Sequence, residues 1–154
     1  MKEETLVQLP SSKPAILITG AHHSREMITI QMVLYSLVKL LQQGIVAEIP
    51  EIQKLLAQNK YYFIPVVNVD GLALLEDTHK GDPESNSILV QRKNLDGYSE
   101  CEEDPKNGNQ GGVDLNRNYG VDWKLNAAQK DPCSEFYAGK GAFSEKETQA
   151  MKQF

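Results

Sequence analysis

Residues 15–29, Ala-Ile-Leu-Ile-Thr-Gly-Ala-His-His-Ser-Arg-Glu-Met-Ile-Thr, constrain the fold more than any other part of the chain. Ala15 to Thr19 are apolar and β-branched and read as a short buried strand. Gly20 and Ala21 are small and end it. Met27, Ile30, Val33, Leu34, Leu37, Val38 and Leu41 then recur at three and four, the period of a helix with one apolar face. Between strand and helix stand His22, His23, Ser24, Arg25 and Glu26. An imidazole and a carboxylate three residues apart at such a corner can converge on one point. Alone, His-x-x-Glu is equally a surface pair, or an acid answering the helix dipole. The remaining motifs decide between these readings.

The rest of the chain completes an α/β pattern. The first helix spans about 25–43, with Gly44 as its stop. A second, over 48–58, has Pro50 near its start and Ile52, Leu55 and Leu56 on one side. Tyr61 to Val67 are aromatic and β-branched and read as a strand, with Pro65 near its end. Asn68-Val-Asp-Gly71 reads as a turn. Residues 77–109 and 120–143 read as irregular, with His79 on an exposed loop. A last helix begins at Ser144, with Glu147 completing a capping box. Leu6 to Leu9 suit an edge strand.

At 154 residues the chain fits one domain. Its net charge of −5 offers no basic stripe for nucleic acid, and its apolar runs are too short for a membrane span. Cys101 and Cys133 could be bridged or reduced; their polar settings favour a bridge and an oxidising compartment, although Met1 to Thr5 do not read as a secretory signal.

Polar clusters recur at strand ends and in loops: His23-Ser-Arg-Glu26, Asn68-Val-Asp-Gly71, Gln91-Arg-Lys-Asn94 and Asp114-Leu-Asn-Arg-Asn118. In this order they resemble the zinc carboxypeptidases of the carboxypeptidase A type. The resemblance runs from about Ala15 to Phe154 and rests on His23-Ser-Arg-Glu26, Pro65-Val-Val-Asn-Val-Asp-Gly71, Arg92-Lys-Asn94, Gly112-Val-Asp-Leu-Asn-Arg-Asn118 and Cys133-Ser-Glu-Phe-Tyr-Ala-Gly139. It implies a mixed β-sheet flanked by helices, and one zinc ion with His23 and Glu26 as ligands. It assigns the C-terminal carboxylate of a peptide substrate to Asn116 and Arg117, oxyanion stabilisation to Arg92, and substrate binding to Arg25. It also implies a Cys101–Cys133 bridge and secretion.

By the same resemblance, residues 1–154 correspond to the N-terminal half of a catalytic domain. The third zinc ligand, the general-base glutamate, the tyrosine that closes over substrate and the side-chain pocket lie past Phe154. The implied activity is removal of C-terminal residues from peptides, with little turnover by this polypeptide alone and apolar surface left where the other half packs. Two alternatives fit the same residues. One is a non-catalytic module holding peptide C-termini; the other is a related zinc amidohydrolase.

Overall fold

The computed structural model describes residues 13–81, 91–96, 101, 111–126 and 131–154. The suggested strand at 6–9 lies outside them, as does most of the region read as irregular between 82 and 110. Strands β1 (Ala15–Thr19) and β2 (Lys60–Ile64) pair in parallel, with Ala15 opposite Lys60 and Thr19 opposite Ile64. A parallel pair needs a crossover, and α1 (Met27–Leu41), a π-helical turn at Gln42–Val46, and α2 (Pro50–Gln58) provide it. The expected α/β class is therefore present, and the pair is the sheet seen among the described residues.

Beyond the strands the two chains stay joined, by Gly20 N–H to the Ile64 carbonyl, Val67 N–H to Gly20, and Asn68 N–H to Ala21. Both strands thus deliver polar residues, His22–Glu26 and Asn68, to one carboxyl end. Open α/β sheets place their sites at that end.

Three local readings need correction. Asn68-Val-Asp-Gly71 is not an isolated turn but the start of α3 (Val69–Gly81), which carries the exposed His79. The Asn68 side chain accepts from Gly71 N–H and its carbonyl from Leu72 N–H, so turn chemistry here serves as a helix cap. Gly44 does not stop the chain's helical path. It lies buried in the π-helical turn, where an added Cβ would meet Leu56 at 2.4 Å, so it permits α2 to approach. The last helix, α5 (Lys146–Gln153), has Glu145 rather than Ser144 at its N-cap. The side-chain oxygen of Asn118 accepts from Glu145 N–H and Thr148 Oγ1 instead. A short α4 (Trp123–Asn126) precedes it, with the Trp123 indole donating to the Ala138 carbonyl.

The interior is unusual in being largely polar. Ser24, Asn68, Gln91, Lys93, Asn94, Asp114, Asn118 and Thr148 are each at most 2% exposed. Conversely, much of the expected apolar face of α1 is open: Val33 is buried, but Met27, Leu34, Val38 and Leu41 are exposed, as are Ile16 and Leu17 of β1. No single helix among the described residues is long and apolar enough to cross a membrane.

Lys93 is the largest buried side chain, and its ammonium donates to the carbonyls of Pro132 (2.8 Å) and Ser134 (2.9 Å). Burial pushes its pKa from 10.5 down to about 8, against the opposite pull of Asp131, Asp114 and Glu135. Between these two values the unfolded chain holds more protons than the folded one, so this group's contribution to stability grows with pH there. Below about 8 it is charged in both states and the contribution is flat. Tyr119, raised above its ordinary 10 by burial, acts in the opposite sense at the alkaline end. Denaturant midpoints measured from pH 7 to 10 should therefore rise in the native chain relative to Lys93→Met. Parallel curves would show that the ammonium is not held as described.

Candidate metal and carboxylate site

Glu26 stands at the N-cap of α1 yet makes no capping hydrogen bond. The N-cap's usual side-chain acceptor role is not used. Its carboxylate instead lies 2.8 Å from His23 Nδ1. The corner that permits this is tied by Thr29, whose hydroxyl donates to the Glu26 carbonyl and accepts from Ala21 N–H. Ala21 itself adopts a positive φ of 46°, the sharp bend between strand and helix.

The other ring nitrogen, His23 Nε2, is 2.9 Å from Asp114 Oδ1 in a buried contact. An ionised carboxylate only accepts, so each ring nitrogen of His23 faces an acceptor, Glu26 at Nδ1 and Asp114 at Nε2. A metal on Nδ1 would leave the ring proton on Nε2, donated to Asp114. Asp114 also receives Arg92 through Nε (3.1 Å) and Nη2 (2.9 Å), and Asn116 N–H at 3.0 Å. Burial alone would raise the pKa of Asp114. Hydrogen bonds and charge from His23 and Arg92 outweigh it and hold the carboxyl below its usual range.

Asp114 thus joins the metal-binding candidate to the arginine candidates. It is the N-cap of a 3-10 turn, Leu115–Arg117. Asn116 is exposed, and the half-buried Arg117 donates to the Asn116 carbonyl without an ion pair among the described residues. Arg92 lies with its guanidinium 5.3 Å from the centre of the Phe136 ring, a cation–π contact. Arg25 pairs with Glu135. His22 turns away from His23 and meets the Tyr119 hydroxyl at 2.8 Å; burial, then the neighbouring His23, lower its pKa.

The loop 91–94 is stitched to everything around it. Ser24 Oγ and Arg25 N–H donate to the Gln91 carbonyl. Asn94 exchanges bonds with Val113 and donates to Glu145. Asn68 Nδ2 donates to the Lys93 carbonyl at 3.0 Å, and more distantly to His22 and Arg92. Asn68 holds backbone, and Asp70 lies exposed on α3, while Asp114 contacts the far nitrogen of the His23 ring.

His23 Nδ1 and the Glu26 carboxylate suit zinc as a donor pair. Their 2.8 Å separation is a direct hydrogen-bond distance, shorter than the tetrahedral edge of about 3.3 Å for zinc–ligand bonds of about 2.0–2.1 Å, so the two groups would part slightly to take an ion. Among the described residues no three His, Cys, Asp or Glu side chains converge to hold a metal.

The model of the zinc carboxypeptidase family matches residues 4–154. The chain belongs to the zinc carboxypeptidase family. Zinc carboxypeptidase A 1 of Drosophila melanogaster is 29% identical over 143 residues, 93% of this chain and 28% of the fly protein. Carboxypeptidase B of Bos taurus is 30% identical over 147 residues, 94% of this chain and 30% of the bovine one. The inactive metallocarboxypeptidase ECM14 of Arthroderma otae is 34% identical over 128 residues, 83% of this chain and 18% of the fungal protein. Among solved structures, thrombin-activatable fibrinolysis inhibitor superposes with a TM-score of 0.67 at 28% identity, covering 96% of this chain and 32% of that one. Its bovine counterpart, in complex with tick carboxypeptidase inhibitor, gives 0.61 at 30%, covering 92% and 40%. The chain therefore spans less than a third of each of these three carboxypeptidase relatives.

Proposed function

We propose that residues 1–154 are part of a metallocarboxypeptidase catalytic domain that removes C-terminal residues from peptides. One observation carries the reading: the His23 ring is pinned by Asp114 on one nitrogen and turned toward Glu26 with the other. His23 and Glu26 would hold one zinc ion. When bound, zinc supplies Lewis-acid polarisation of a carbonyl and a more acidic water.

The protein's own groups do the rest. Arg117, without an acidic partner among the described residues, offers a planar fork to a peptide's C-terminal carboxylate, with the exposed Asn116 beside it. Arg92 is fixed through Nε and Nη2, which leaves Nη1 for a developing oxyanion. Arg25 would contact substrate further from the C-terminus. The Cys101–Cys133 bridge, with Cα atoms 5.6 Å apart, suits secretion.

The third protein ligand and the general base come from outside these residues. His22 is engaged with Tyr119 and His79 is exposed on α3, and the sequence holds no further histidine. Zinc affinity of the 154-residue polypeptide should therefore be micromolar or weaker, and hydrolysis of a blocked dipeptide should need the rest of the domain. Lack of the base alone costs about 10²–10⁴-fold. In the completed domain Arg117→Ala should weaken dipeptide binding about 10-fold or more, in line with about 1.5–3 kcal/mol for a hydrogen bond to a charged group. Turnover on adding the missing part supports the enzyme; unchanged dipeptide affinity in Arg117→Ala sinks the carboxylate assignment.

A second reading is a non-catalytic module that keeps the carboxylate grip. It is favoured by relatives named as inactive metallocarboxypeptidases. Carboxylate-dependent binding with no turnover, even with the remaining domain supplied, would select it.

A further inference from the structure

The short stretch Pro132–Phe136 touches both arginines that flank the metal-binding corner, though it is more than a hundred residues from Arg25 in sequence. Glu135 pairs with Arg25, each side chain 28% exposed. The next residue, Phe136, lays its ring against Arg92. The same stretch is held from behind at two points. Its carbonyls at 132 and 134 receive the buried ammonium of Lys93, the residue after Arg92. Between them Cys133 is bonded to Cys101. A further bond, from Cys133 N–H to Asp131 Oδ1, shapes the turn.

We propose that Pro132–Phe136 is a clasp that positions Arg25 and Arg92, and that the Cys101–Cys133 bridge keeps the clasp closed. The site role of the two arginines rests on the reading in the preceding subsection; the clasp itself does not. Glu135 and Phe136 are positioning residues: each acts through the arginine it holds. Glu135 holds Nη2 of the Arg25 guanidinium. Phe136 covers one face of a guanidinium whose edge Asp114 already holds. Opening the bridge removes the covalent tether and leaves the Lys93 ammonium to hold the stretch from behind, so both arginines loosen together.

The test reads the arginines directly, without zinc or turnover. Guanidinium hydrogen exchange at Arg25 and Arg92 is followed by nitrogen-resolved NMR in the native chain, in Cys101→Ser/Cys133→Ser, in Glu135→Gln and in Phe136→Leu. Backbone amides of α1 report global unfolding. Exchange should rise at least fivefold at both arginines with the bridge removed, at Arg25 alone in Glu135→Gln, and at Arg92 alone in Phe136→Leu, with α1 amides changed less than twofold. Glu135→Asp should restore part of the Arg25 protection. If the double serine variant unfolds, the two single variants still decide. Unchanged exchange in both single variants, or in the folded bridge-free chain, overturns the clasp. Failure of zinc or dipeptide binding with these exchange changes intact would instead count against the functional reading alone.

Discussion

Asp114→Ala should destabilise the folded chain by about 3–5 kcal/mol, the cost of leaving a buried charge without its partner. The residue is fully buried and receives the His23 imidazole, two N–H groups of Arg92 and one backbone N–H. Its removal strands an 11%-exposed guanidinium and leaves the His23 ring without its contact at Nε2. The second effect should appear separately, as a loss of about 10–100-fold in zinc affinity once the domain is complete. Asp114→Asn separates the two. It keeps the side-chain oxygen that can accept from His23 or Asn116, but not the negative charge opposite Arg92, so stability should fall while zinc affinity falls less than in the alanine variant. Urea unfolding and a zinc competition titration provide the two measurements. An alanine variant that unfolds at the native urea midpoint would remove Asp114 from the centre of the site.

Gly112→Ala should be comparably damaging, about 3–5 kcal/mol from backbone strain and overpacking together. Gly112 has φ of +95°, a region an alanine adopts only under strain, and its missing Cβ would sit 2.0 Å from the Asn94 carbonyl oxygen. That oxygen belongs to the backbone of the loop that carries Arg92, so no rotamer change can relieve the clash. The bonds between Asn94 and Val113 would part first. The variant should be recovered with a lower unfolding midpoint and with Arg92 displaced from Asp114. A native midpoint would mean that Gly112 and the Asn94 backbone are not in contact.

What the sequence revealed and what it hid divide along the distance of the contacts. Both strands and the first two helices were legible within a few residues, because apolar periodicity records which side of an element is meant for packing. The third helix was not. Asn68 and Gly71 have the chemistry of a turn, and the same Asn side-chain bond to the N–H three residues on also starts a helix. His23, Glu26, Arg92 and Arg117 could be named because each sits in a short motif. Asp114 lay in plain view within such a motif and was still not singled out, since its partner His23 is 91 residues away. Asn94 and Asn118 stand in quoted motifs without a role for the same reason: their bonds reach across to residues 113, 138, 144 and 145. The Ser144 cap was misplaced because the acceptor at that helix start comes from Asn118 rather than from the local chain.

A centre fastened by amides, an ammonium and a carboxylate responds to heat differently from one made of oil. Buried apolar residues number only eight among the described ones, outnumbered by ten polar or charged ones. Exposure of apolar area raises the heat capacity on unfolding, and exposure of polar area lowers it. Among the described residues that balance favours a smaller heat-capacity increment, and a flatter stability curve, than an apolar core of the same size would give. Firmness near the His23–Glu26 corner then depends chiefly on whether each hydrogen bond is made.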